Sequence, residues 1–198
     1  FTEGFDAVVY NVCKAKSKKL EEAANIIYQT RVKGTPAMLI HCSMHSFWST
    51  YRSGKKGTLG PEYKGEALAE AKAVADWRAK YPGNEFPVWG DFTGIASTTH
   101  GARMPIKVER VCQHSATKPL TVEGYTTTPI SELYNNVYMV EGVQPLLKGT
   151  QKKYPKPIAN KIAKGIELTE KEKATKVPVK EAIVMWLVPQ GKSKVLGL

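Results

Sequence analysis

Hydrophobic positions along the first forty residues change period twice. Phe5-Asp6-Ala7-Val8-Val9-Tyr10-Asn11-Val12 is rich in β-branched and aromatic residues and reads as a buried strand. Ser17 suits a helix N-cap, and Leu20, Ala23, Ala24, Ile27 and Arg31 then recur at helical spacing. Gly34 ends that helix, and Pro36 leads into four apolar residues, 37–40, that read as a second buried strand. Strand, helix, strand is the pattern of a βαβ unit, so the two strands are expected to be parallel with a right-handed crossover.

Further along, a helix is expected to begin over residues 44–52, and the Gly- and Lys-rich stretch 53–61 reads as a loop. Ala67, Leu68, Ala71, Val74, Ala75 and Arg78 predict an amphipathic helix over 66–80, stopped by Tyr81-Pro82-Gly83-Asn84. From residue 104 the period becomes that of strands, expected at 105–111, 119–122, 137–140 and 182–188. Gly191 turns the last of these into a hairpin partner at 194–198. Residues 148–180 read as a long Lys-rich surface loop, with a short helix near 168–174 that Thr169 would cap.

Length and composition narrow the picture. The chain has 198 residues, 42% of them hydrophobic, which suits one domain with a substantial core. Its mean hydropathy is −0.32. No stretch approaches the roughly 18–20 apolar residues of a membrane helix, so no membrane span is expected. The chain starts at Phe1, and it is expected to be part of a longer one. The three cysteines, Cys13, Cys42 and Cys112, fit neither a disulfide framework nor a zinc pattern, and they leave the compartment undecided.

The formal net charge is +11. Its basic residues gather at 14–19 and 148–180 without interleaved aromatics, so nucleic-acid binding is not expected. A seat for an acidic partner and simple solvation both remain open.

Candidate chemistry gathers at the end of the second strand. His41-Cys42-Ser43-Met44-His45 places two imidazoles and a thiol just beyond the carboxyl end of a strand, where α/β folds collect reactive groups. Cys42 lies where a strand-to-helix elbow would activate a thiol. An elbow of that kind needs small residues on both sides, and here the flanks are His41 and Met44. His41 and His45 stand at i and i+4, a metal-binding spacing on a helix. With His100 they form the one candidate metal set. No Walker or dinucleotide glycine pattern is present, and the sequence leaves any cofactor open.

Four segments in order resemble the trehalose-utilization (ThuA-like) family. They are the strand ending in His41-Cys42-Ser43-Met44-His45-Ser46-Phe47, then Trp89-Gly90-Asp91-Phe92-Thr93-Gly94 with Thr99-His100-Gly101. Next comes Pro119-Leu120-Thr121-Val122-Glu123-Gly124, with Thr126-Thr127-Thr128-Pro129 and Glu132-Leu133-Tyr134-Asn135-Asn136. Last is the strand through Trp186 with Gly191-Lys192-Ser193-Lys194-Val195. The resemblance runs from about residue 5 to 198 and implies an α/β fold like flavodoxin or the class I glutamine amidotransferases. That fold is a three-layer sandwich with a mainly parallel sheet, here carrying a helical insertion at about 53–88 in a single domain, 1–198.

The resemblance further implies a carbohydrate or keto-sugar ligand in a His-rich crevice. His41 and His100 would be the acid/base residues. His45, Glu132, Tyr134, Trp48 and Arg52 would bind substrate, Trp48 and Arg52 as part of a wall for a sugar ring. Two alternatives come from other classes. One is a non-catalytic interaction domain whose open sheet edge is covered by a protein partner. The other is an amidotransferase-like thiol enzyme using Cys42.

Overall fold

The computed structural model describes residues 4–13, 19–47, 66–84, 86–97, 99–120 and 124–198, with the backbone alone at 66–71. These fall in two compact units. The first comprises residues up to 98, 136–144 and 187–198, and the second comprises 99–135 and 145–186.

The first unit opens with the expected βαβ element. Strand β1 (Val8–Tyr10) pairs in parallel with β2 (Ala37–Leu39), Val8 opposite Ala37. Helix α1 (Leu20–Arg31) connects them and buries Ala23, Ile26, Ile27 and Thr30, a face recurring at three and four residues. Glu21 and Glu22 sit in its first turn and Arg31 in its last, the arrangement the helix dipole favours. Gly34 follows with φ +84°, a conformation that costs little only without a Cβ. The cap residue is Lys19, and the expected cap Ser17 lies outside the described residues.

Strand β11 (Ser193–Gly197) pairs in parallel with the other side of β2, Val195 opposite Ala37. Helix α2 (Glu66–Lys80) spans the expected residues, and Gly83 turns the chain beyond it at φ +77°. Helix α3 (Trp89–Thr93) and the short antiparallel pair β3 (Ile95–Ala96) and β8 (Tyr138–Met139) complete the unit. Phe47, Trp89 and Phe92 pack with ring centroids 4.9 and 5.2 Å apart, and all three are buried.

The second unit is antiparallel. Strand β5 (Lys107–Arg110) pairs with β6 (Gly124–Thr126) and with β9 (Gln144–Lys152). Strand β4 (His100–Arg103) pairs with β7 (Glu132–Tyr134). Helix α4 (Lys156–Ala163) packs against β4 and buries Ala159. Leu133 and Leu146 are fully buried, beside Ile106 and Val108. The long strand β10 (Val179–Gln190) has residues in both units and neighbours β9 and β11 in the ladder order.

The fold is therefore mixed α/β, and three of the sequence expectations need correction. The sheet is not mainly parallel: parallel pairing is confined to β1, β2 and β11, and the remaining described pairs are antiparallel. Residues 148–180 are not a loop, since they hold most of β9, then α4, α5 (Glu170–Lys173) and the start of β10. Lysines are good helix formers, and Pro155 sits at the N-cap of α4, where it breaks no helical hydrogen bond. Thr169 does cap α5, in a reciprocal box with Glu172. Finally, residues 119–120 are not in a strand, and β6 lies at Gly124–Thr126.

Candidate functional site

Strands β4 and β7 bring chemically capable side chains onto one face. In β7, Glu132 and Tyr134 alternate with the fully buried Leu133, so both project away from the core. Their register partners on β4 are Arg103 and His100. Arg103 lies three positions after His100, an odd offset that in a regular strand would put them on opposite faces. The register shifts between them by one residue, and that irregularity returns both to the Glu132 side.

The geometry centres on the Glu132 carboxylate. Arg103 Nε donates to its Oε1 at 2.8 Å, and Tyr134 Oη donates to its Oε2 at 3.1 Å. His100 Nε2 lies 3.6 Å from Oε1. The His100 and Tyr134 rings meet edge to face, with centroids 5.6 Å apart. The Glu132 side chain is 11% exposed, that of His100 36% and that of Arg103 67%. Burial pushes the Glu132 carboxyl up, but the hydrogen bond from Arg103, the charge of protonated His100 and the Tyr134 hydroxyl outweigh it. The net shift is downward, so Glu132 is a carboxylate at neutral pH.

His100 has a defined polarity. Its Nδ1 lies 2.7 Å from the carbonyl oxygen of Gly101. A carbonyl oxygen only accepts, so Nδ1 carries a proton. The second proton of the imidazolium then sits on Nε2, facing Glu132. Protonated, His100 forms an ion pair there, and neutral, it offers a lone pair beside a carboxylate. The cluster can thus give up or take a proton at Nε2.

Behind this face, Lys180 Nζ donates to the carbonyl of Leu133 at 3.1 Å and to Asn135 Oδ1. Asn135 N in turn donates to Thr99 O at 2.9 Å, next to His100. Burial, with Lys153 nearby, pushes the Lys180 ammonium below its usual range. Gln151 Nε2 donates to Met104 O at 3.0 Å, and Gln151 is buried.

The first unit holds His41, Cys42 and His45 in a 3-10 turn, His41–His45, at the end of β2. The helix expected from residue 44 is this turn, and residues 48–52 lie outside the described ones. His41 and Phe47 both have positive φ, 54° and 55°. Such backbone is uncommon outside glycine and must be held by its surroundings. Two serines hold it here. Ser43 Oγ accepts from Val12 N at 2.8 Å and donates to Tyr10 O at 2.7 Å, and Ser46 Oγ donates to Val12 O at 2.6 Å. Trp89 Nε1 donates to Ser43 O at 2.9 Å.

The turn exposes His41 and buries Cys42 and His45. Cys42 Sγ lies 3.9 Å from His41 Nε2. The left-handed residue is His41, one position before the thiol that an elbow would strain.

The expected residues therefore divide. His100, Glu132 and Tyr134 meet in the second unit, while His41, Cys42 and His45 belong to the first. Trp48 and Arg52 lie outside the described residues. Among the described residues, no group of three or more His, Cys, Asp or Glu is placed to hold a metal. No helix among them is long and apolar enough to cross a membrane. The sequence reading missed Arg103 and Lys180. Arg103 stands three residues after His100, and strand alternation alone hides it. Lys180 was lost in a stretch read as a solvated loop. No family model matches the chain, and neither a curated protein nor a solved structure matches it.

Proposed function

We propose that the chain is a ThuA-like domain that binds or acts on a carbohydrate or its keto derivative, with the β4–β7 face as its reacting surface. The observation that carries this reading is one carboxylate, Glu132, shared by Arg103, His100 and Tyr134. An ionised carboxylate beside an imidazole that exchanges its proton at Nε2 suits general acid/base work on a hydroxyl or carbonyl oxygen. His100 is the acid/base group, Glu132 orients it, and Tyr134 and Arg103 give a phenol and a cation for substrate oxygens. The parallel pairing of β1, β2 and β11, with α1 between the first two, is the part of the fold that accords with a flavodoxin-like relative. The test is a titration with trehalose and with a keto-glucoside, followed by amide resonances. Saturable shifts confined to residues of β4 and β7, lost in His100→Ala and Glu132→Gln, support the proposal. Shifts elsewhere alone, or none at millimolar ligand, sink it.

A second reading is a non-catalytic interaction domain, favoured by one observation. Among the described residues, strand β1 ends its ladder, with β2 on one side, and Val9 is 59% exposed on it. An open edge of this kind is a place for another strand to pair. Protection of β1 amides from hydrogen exchange only in the presence of a partner chain, with no sugar binding, would select this reading.

A further inference from the structure

A groove of about 590 Å³ lies along α1 and the end of α2 in the first unit, away from the residues discussed above. Tyr28, Trp77 and Tyr81 contribute its aromatic lining, and Ala24, Ile27 and Val32 its aliphatic lining. Its volume falls within the roughly 300–1,000 Å³ of small-molecule sites. Trp77 and Tyr81 are already packed on one another, with centroids 4.3 Å apart, and Phe86 meets Trp77 edge to face at 6.0 Å. Trp77 and Tyr81 thus line the groove as a packed pair.

The carboxylate of the groove is already paired. Glu21 accepts from Lys80 Nζ at 3.0 Å and from Tyr81 Oη at 3.1 Å. Arg31 Nε donates to Gln190 Oε1 at 2.6 Å. A cation would have to compete with Lys80 for Glu21, whereas a neutral ligand leaves that pair in place. A sugar fits poorly, because hydroxyls set against Ala24, Ile27 and Val32 would lose water without gaining partners. A flat ring with polar atoms at its edge fits better. Its faces meet aromatic and aliphatic carbon, and its edge meets the solvent-facing amides of Asn25 and Asn84, each of which offers a donor and an acceptor. Trp77 Nε1 is buried without a hydrogen-bond partner, an unmet donor in the same wall.

We infer that this groove binds an uncharged heteroaromatic ring, with Tyr28 and the Trp77–Tyr81 pair as stacking surface and Asn25 and Asn84 reading its edge. The inference does not rest on the sugar reading, since every residue in it belongs to the first unit.

Adenine, neutral at pH 7, is the probe, and the indole N–H resonance of Trp77 is the reporter, identified by its loss in Trp77→Phe. Adenine should shift that resonance saturably. Asn84→Ala, a change at an exposed position, should weaken binding roughly three- to ten-fold, the worth of one hydrogen bond. His100→Ala should bind adenine as the unaltered chain does, which keeps this result separate from the fate of the β4–β7 proposal. The inference is overturned if adenine leaves the Trp77 resonance in place, or if trehalose moves it and adenine does not. Unchanged affinity in both Asn84→Ala and Asn25→Ala also overturns it.

Discussion

His100 and Tyr134 are register partners across β4 and β7, and both side chains reach the same carboxylate. Pairing of opposite strands sets their spacing, and the edge-to-face contact of the rings, 5.6 Å between centroids, fixes how they approach Glu132. Neither residue can move without disturbing the other's partner.

This coupling makes Glu132 a pH-dependent contributor to stability. Its folded-state pKa lies below the ordinary 4.5. A depressed carboxyl pKa stabilises the folded state fully above the unfolded value, and the stabilisation is lost as pH falls through the folded one. Glu132→Gln should therefore melt below the unaltered chain at pH 7, with the gap closing as pH falls below 4.5. Thermal melts of both chains across that range check it. A gap that stays constant with pH would remove Glu132 from the account.

Gly149 lets β9 lie close under the same face. A Cβ there would come within 2.8 Å of Ile106 Cγ2 and Val184 Cγ1, and within 3.0 Å of Leu133 Cδ1. Leu133 sits between Glu132 and Tyr134, so the clash is transmitted to the cluster. Gly149→Ala should cost about 1–3 kcal/mol by overpacking. Denaturant unfolding measures the loss, and His100 and Tyr134 resonances should shift with it.

Thr169 and Glu172 cap α5 reciprocally: Glu172 N donates to Thr169 Oγ1, and Thr169 N donates to Glu172 Oε2 at 2.9 Å. Glu172 also accepts from Lys161 Nζ at 2.7 Å, which ties α5 to α4. The Lys161 hydrogen bond, then the Thr169 backbone bond, holds the Glu172 carboxyl down to about 2. Thr169→Ala should cost about 1 kcal/mol. Hydrogen exchange should quicken at residues 170–175 and stay unchanged in β5.

Thiol chemistry separates the amidotransferase-like alternative from the rest. Cys13 is exposed, Cys112 is half-buried, and Cys42 is 8% exposed. Iodoacetamide should label Cys13 first and Cys42 last, the latter at the rate of unfolding. Mass mapping of partly labelled protein gives the order. Fast labelling of Cys42 in the folded chain would restore it as a nucleophile.

Local order was legible wherever a period was clean. The β1, α1, β2 element follows from Val8, Val9 and Tyr10, the helical spacing of Leu20, Ala23, Ala24, Ile27 and Arg31 and the Gly34 stop, because a βαβ unit encodes its own direction. Helix α2 and the Thr169 cap were legible for the same local reason. The parallel sheet was over-extended because an apolar run such as 182–188 does not record which way its neighbour points. The Lys-rich stretch was misread because lysine marks a solvated surface equally well on a helix, a strand or a loop.

The sequence by itself determined which residues could do chemistry, whereas the strand that sets Glu132 and Tyr134 on one face appears only in the structure. Only the tertiary structure decided who joins them. Arg103 meets Glu132 because a one-residue register shift in β4 turns it to the side of His100. His41 and Cys42 stay with the first unit because parallel pairing of β2 with β1 and β11 places their turn there. The physical reason is that strand pairing and register are long-range choices. They depend on which ladder a strand finds, and no window of neighbouring residues carries that information.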